Sequence, residues 1–208
     1  MPSLEGSDLV CVRGDRQLFK NVNFSLQAGG LMQVQGPNGS GKTSLLRMLC
    51  GLATPAHGEI RWDGSEIRSL RGGGAYFGTM TYLGHASGVK DDLTAIENLR
   101  ISSALSGVEI DEKKAHEALQ HMGLGGRELL PAKVLSQGQR RRVTLARLLV
   151  CGTVLWILDE PLTALDVAAV KLVQGLLEQH LGQGGMIVMT THQEIEIAAI
   201  ATQRLQLA

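Results

Sequence analysis

The sequence predicts an α/β domain with a largely parallel sheet, and three observations point there. A strand-like run, Leu31 to Gln35, leads directly into the glycine cluster GPNGSGKT, and a helical pattern follows. A second run, Val154 to Leu158, is apolar throughout, as a strand buried on both faces must be, and ends in Asp159 and Glu160. From Met80 onward, strand-length and helix-length segments alternate, the pattern of parallel strands joined by crossover helices.

In chain order, the N-terminal part reads as an antiparallel β subdomain. Leu9 to Val12 and Val22 to Leu26 are β-branched or alternating runs, and GEIRWDGSEIR alternates around the Asp63-Gly64 turn signal of a hairpin. Lys42 to Leu49 has Leu45, Leu46 and Leu49 on one helical face and a stop at Gly51. Arg71 to Gly74 reads as a loop and Met80 to Leu83 as a strand. TAIENLRISSAL and DEKKAHEALQHM have helical spacing and acidic first turns, with Gly107 and Gly123 to Gly126 between and after them. They predict a small helical subdomain, approximately residues 85–140, within one domain spanning 1–208. Gln137 to Val150 is expected as one further helix, with Val143, Ala146, Leu149 and Val150 on one face. Asp166 to Leu181 follows as a helix, Met186 to Thr190 as a strand and Arg204 to Leu207 as a short last strand.

Composition excludes several classes of function. Twenty basic and twenty acidic residues cancel, so no global field draws the chain to nucleic acid or to an anionic membrane. The longest apolar stretch, Leu148 to Leu158, has eleven residues and is too short to span a bilayer. The N-terminus carries Glu5 and Asp8 and lacks the pattern of a secretory signal. Cys11, Cys50 and Cys151 are far apart in the sequence and read as buried thiols of a reducing compartment.

The segment Gly36-Pro37-Asn38-Gly39-Ser40-Gly41-Lys42-Thr43, followed by Ser44, matches G-x-x-x-x-G-K-[ST], the phosphate loop of P-loop proteins. Its glycines let successive N–H groups turn inward on an anion, and the next helix aims its positive end at the same point. Lys42 can bridge β- and γ-phosphates, and the Thr43 hydroxyl is placed to ligate Mg²⁺. Asp159, at the end of the apolar strand, would hold that ion with Thr43, while Glu160 would polarise the attacking water. The loop alone does not separate a kinase from a GTPase, a helicase or a transporter subunit.

LSQGQ, with Ser136, Gln137, Gly138 and Gln139, runs into RRRVTLARLL about twenty residues before Asp159. It resembles the signature motif of the ATP-binding cassette (ABC) ATPases, with Gln137 in place of the usual glycine. That resemblance implies ATP and Mg²⁺, and a homodimer in which Ser136, Gln137, Gly138 and Gln139 contact the nucleotide held by the partner. It makes Ala164-Leu165-Asp166 a D-loop and His192, after the next strand, the γ-phosphate switch, so that Glu160, His192 and Lys42 form the catalytic set. It places Arg13 where an aromatic residue usually stacks on adenine, and His85 where a glutamine usually meets the metal and the membrane subunit. The arginines Arg140, Arg141, Arg142 and Arg147 read as a solvated and pairing face.

The combination of GPNGSGKT, LGH…GVK…LTAIENL, LSQGQRRRVTLARL, LWILDEP and TTHQ is similar to the ATP-binding subunits of the cytochrome c maturation system. The implied role is ATP hydrolysis coupled to haem export or to release of a haem-loaded periplasmic chaperone. Integral permease subunits would be the partners, with the chain peripheral on the cytoplasmic face of the bacterial inner membrane. Another small exporter, a soluble ABC ATPase and a nucleotide sensor without turnover are the alternatives.

Overall fold

A computed structural model describes residues 2–69, 76–192, 196–199 and 201–207. The expected loop at Arg71–Gly74 lies outside them. Two sheets form. Strands β1 (Ser3–Arg13), β2 (Arg16–Gln27), β4 (His57–Trp62) and β5 (Ser65–Glu66) make an antiparallel sheet in the order β2-β1-β4-β5. Strands β3 (Gly30–Gln35), β6 (Met80–Leu83), β7 (Leu155–Asp159), β8 (Met186–Thr190) and β9 (Ala201–Gln206) make a parallel sheet in the order β6-β7-β8-β3-β9. The helices are α1 (Lys42–Leu49), α2 (Ala95–Leu105), α3 (Glu112–His121), α4 (Gln137–Leu145), α5 (Arg147–Val150) and α6 (Val167–Gly182).

Period-two alternation sorts the parallel strands into two cores. Met32, Val34, Leu155, Ile157, Met186 and Val188 face α1 and the antiparallel sheet. Leu31, Trp156, Leu158, Ile187 and Met189 face the other helices. Helix α1 therefore lies between the two sheets, with Leu45, Leu46, Met48 and Leu49 buried. Its rigid seat fixes the phosphate loop that precedes it.

Three expectations need correction. Strands β1 and β2 each extend well beyond the predicted runs, because a bulge interrupts their alternation. Asp8 and Asn21 take φ of 50° and 53°, and Asn23 Oδ1 accepts from the Asp8 N–H at 2.8 Å. These polar residues read as turn formers while the pairing continues on either side. The helix expected over Gln137–Val150 divides at Ala146, where Leu149 N–H bonds the Ala146 carbonyl three residues back, and α5 then packs on α2 and α3. Strand β9 starts at Ala201, ahead of the expected Arg204, since its exposed polar residues pair along β3. The Asp63-Gly64 turn has φ of 48° and 74°, the paired left-handed conformation of a tight hairpin.

Candidate nucleotide site

The phosphate loop joins β3 to α1. Gly41 caps α1 in a left-handed conformation, φ 99°, and a Cβ there would meet the Phe19 ring at 2.9 Å. Thr94, Asp111, Ser136 and Asp166 supply side-chain caps for α2, α3, α4 and α6. Helix α1 has no side-chain cap, so its first N–H groups are left for a ligand at the positive end of the helix. The Lys42 ammonium bends back over the loop and donates to the carbonyls of Gly36 at 2.8 Å and Pro37 at 3.2 Å. Ser40 is buried within the loop, and its hydroxyl has no partner among the described residues.

Parallel register brings the acidic strand end alongside. Thr43 Oγ1 donates to Asp159 Oδ2 at 2.9 Å, and Thr190 Oγ1 donates to Asp159 Oδ1 at 2.8 Å. The same Thr190 oxygen accepts from the Glu160 N–H at 2.9 Å. Glu160 then turns out of the strand with φ 51°, and its Oε1 lies 3.3 Å from His192 Nε2. Two hard oxygens, Thr43 Oγ1 and the Asp159 carboxylate, thus meet beside the loop, a donor set that suits Mg²⁺ completed by phosphate oxygens and water.

A cleft of about 680 Å³ gathers the predicted residues Arg13, Asn38, Gly39, Gly41, Lys42, Thr43, Ser44, His85, Asp159, Glu160 and His192. Gly36, Pro37 and Ser40, predicted with them, do not line it. Ser136, Gln137, Gly138 and Gln139 do not line this cleft. They open α4, where Ser136 Oγ accepts from the Gln139 N–H at 3.2 Å and Gln139 Oε1 accepts from the Ser136 N–H at 2.9 Å. This reciprocal cap leaves the Ser136 hydroxyl proton free to donate. Gly138 packs so closely that a Cβ would come 2.7 Å from the Ala164 carbonyl oxygen.

Two supporting residues escaped the sequence reading. Thr190, the clamp on Asp159 and Glu160, is visible only once β7 and β8 are in register. Arg141 is a correction to the expected solvated face, since it is 6 % exposed. It donates to the carbonyls of Asp159, Glu160, Pro161 and Gly84 at 2.9, 2.7, 3.2 and 3.1 Å. Burial pulls its pKa below the ordinary guanidinium value. Arg140 does pair outward, with Asp91 at 2.6 Å.

The family described as ABC transporter matches residues 19–163. Cytochrome c biogenesis ATP-binding export protein CcmA of Nitrosospira multiformis is 84% identical over 207 residues, covering 100% of each chain. The protein of the same description from Nitrosomonas europaea is 62% identical, over 99% of this chain and 95% of its own. A putative ABC transporter ATP-binding protein from Pyrococcus furiosus superposes with a TM-score of 0.83 at 25% identity, covering 98% of this chain and 97% of that one. A dimeric ATP-binding cassette bound to ADP and Pi gives 0.79 at 24% identity, over 91% of this chain and 88% of its own, a likeness of fold. The chain belongs to the ABC transporter family as an ABC-type ATPase, in the branch of the cytochrome c biogenesis ATP-binding export proteins.

Proposed function

We propose that two copies of this chain close head to tail over two ATP molecules and that hydrolysis powers a membrane complex of cytochrome c maturation. The relatives are named for cytochrome c biogenesis and export, and the work done would be haem export or release of a haem-loaded periplasmic chaperone. The single observation that carries the hydrolytic reading is the joined strand end. Thr43, Asp159, Thr190 and Glu160 form one hydrogen-bonded chain beside the phosphate loop.

Lys42 exchanges its two loop carbonyls for β- and γ-phosphate oxygens, and the N–H groups of α1 hold the same phosphates. Thr43 and Asp159 would hold Mg²⁺, which supplies charge neutralisation on the phosphates. Glu160 accepts the proton of the attacking water, and His192, beside it, reaches the γ-phosphate. His85 lies at the same mouth as a further metal or water contact. Ser136, Gln137, Gly138 and Gln139 of one copy close over the nucleotide of the other, with the Ser136 hydroxyl donating.

No described helix is long and apolar enough to cross a membrane. Attachment at the cytoplasmic face of the inner membrane would therefore come through permease subunits. A groove of about 620 Å³ between the core and the helical subdomain offers the surface, lined by Leu52, Phe77, Leu105 and Arg147. Leu52 and Leu105 are 60% and 85% exposed, and the buried Arg147 Nε has no partner among the described residues. An amphipathic permease segment with an acidic residue matches both features.

Glu160→Gln tests the reading. The variant should retain ATP binding and elute as an ATP-dependent dimer during size exclusion. A variant that stays monomeric with ATP while turning over at the wild-type rate would contradict both the base and the closed pair.

A further inference from the structure

A second pocket lies at the opposite end of the parallel sheet from the nucleotide cleft. It opens where β7 and β8 begin, between α5 and the C-terminal end of α6, and has a volume of about 330 Å³. That is enough for one small molecule, since ligand pockets start at about 300 Å³. It shares no lining residue with the nucleotide cleft.

The buried side chains of Leu148, Trp156, Leu176 and His180 form its floor, and the exposed Gln179 and Gln183 frame its mouth. The floor is tightly held. The Trp156 and His180 rings stack at 3.7 Å with an interplanar angle of 5°. The imidazole is also pressed against Gly185, where a Cβ would collide with the ring.

No Asp, Glu, Lys or Arg among the described residues lines the pocket. His180 is the titratable group in its wall, and burial lowers its pKa, so it is neutral near pH 7. A charged ligand would shed its water here with no counter-charge to meet it, so the site suits a neutral one.

Most of the polar atoms around the floor are already engaged. His180 Nε2 donates to the Val154 carbonyl at 3.0 Å, and the Thr153 and Thr81 hydroxyls share a hydrogen bond of 2.7 Å. Trp156 differs. It is 3 % exposed, and its buried Nε1 has no partner among the described residues. An indole nitrogen can only donate, and a buried donor left unpaired is costly. A carbonyl oxygen would meet it and bring no donor of its own to be stranded.

We propose that this pocket binds a small, neutral, largely apolar carbonyl compound, a ketone, ester or lactone. Its oxygen accepts from the Trp156 N–H, and its hydrocarbon part lies against Leu148 and Leu176.

Nuclear magnetic resonance titration of the ¹⁵N-labelled full chain tests it. The chain holds two tryptophans, Trp62 and Trp156, so two indole N–H signals are expected, assigned with Trp62→Phe. Three probes of similar shape separate the contributions. They are acetophenone, α-methylstyrene, in which a methylene replaces the oxygen, and benzoate, which adds a charge. Acetophenone should move the Trp156 signal saturably and leave that of Trp62 in place. The other two should bind at least about tenfold more weakly. Trp156→Phe, followed on the Gln179 and Gln183 side-chain amides, should lose acetophenone affinity by about tenfold or more. A Trp156 signal unmoved by acetophenone up to about 10 mM, equal affinity for all three probes, or full affinity in Trp156→Phe would overturn the proposal. The probe series is read on the wild-type chain, so it decides the matter even if Trp156→Phe fails to fold.

Discussion

Thr190→Val keeps the volume of a buried side chain and removes one oxygen. That oxygen donates to the Asp159 carboxylate at 2.8 Å and accepts from the Glu160 N–H at 2.9 Å. A hydrogen bond to a charged group contributes about 1.5–3 kcal/mol, and a stranded buried N–H costs roughly 1–3 kcal/mol. The two overlap in one site, and Arg141 still grips the Asp159 and Glu160 carbonyls, so the expected net loss is about 3 kcal/mol. For a chain of this size, each kcal/mol moves Tm by about 2–4 °C, giving a fall of about 6–12 °C. Turnover should fall further than stability alone implies, by about 10- to 100-fold, because Glu160 loses the anchor of its left-handed turn. Thr190→Ser keeps the oxygen and should cost only about 1 kcal/mol for the lost methyl. Circular-dichroism melting and ATP turnover on all three proteins check the reasoning. A valine variant that melts within about 2 °C of the serine variant and turns over as fast would refute the clamp.

Two further outcomes follow from other parts of the molecule. His180 is stacked on Trp156 at 3.7 Å and bonded through Nε2 to the Val154 carbonyl at 3.0 Å, and burial lowers its pKa. Below the ordinary value of about 6.5 the unfolded chain therefore binds a proton that the folded chain refuses, so this group removes stability as pH falls from there. Urea midpoints should drop between about pH 7.5 and 5.5, and His180→Phe, which keeps a stacked ring, should flatten that drop. An equal slope in both proteins would remove His180 as the cause. In the groove, Leu105→Glu should leave ATP binding unchanged and reduce co-purification with membrane subunits by about tenfold or more, since burying a leucine contributes about 1.5–3 kcal/mol. Undiminished recovery from membranes would show that the permease sits elsewhere.

Much of the fold was legible because local chemistry repeats what the packing demands. The run LWILD is apolar up to its acid, and every one of its residues is buried. Asp166 reads as a helix start and does accept from the Ala169 N–H at 2.8 Å. The bulged strand β1 was harder, since Gly6, Ser7 and Asp8 look like a turn when read in isolation, and only the facing Phe24 and Asn23 explain them. At the site, contiguous motifs could be read directly. Residues acting across strands could not: Thr190 faces Asp159 only through the β7–β8 register, and Arg141 sits in a basic cluster whose other members bond elsewhere, Arg140 to Asp91, Arg142 to the Met122 and Gly123 carbonyls and Arg147 to the Ser106 hydroxyl.

The two helix starts assigned to phosphate differ in a way that bears on closure. Helix α1 has no side-chain cap, so its donors gain whenever an anion enters the loop, whether or not a second chain is present. Helix α4 satisfies its own Ser136 and Gln139 N–H groups with the reciprocal cap, so exposing that end to water carries little cost. What it retains is one hydroxyl proton and the positive end of a helix, both able to act on a phosphate brought to it. A surface that must be covered in one state and bare in another is better built from self-satisfied groups than from stranded donors. In the proposed pair the loop of one copy would hold nucleotide unaided, and the α4 start of the other would add a modest attraction that hydrolysis of the γ-phosphate removes.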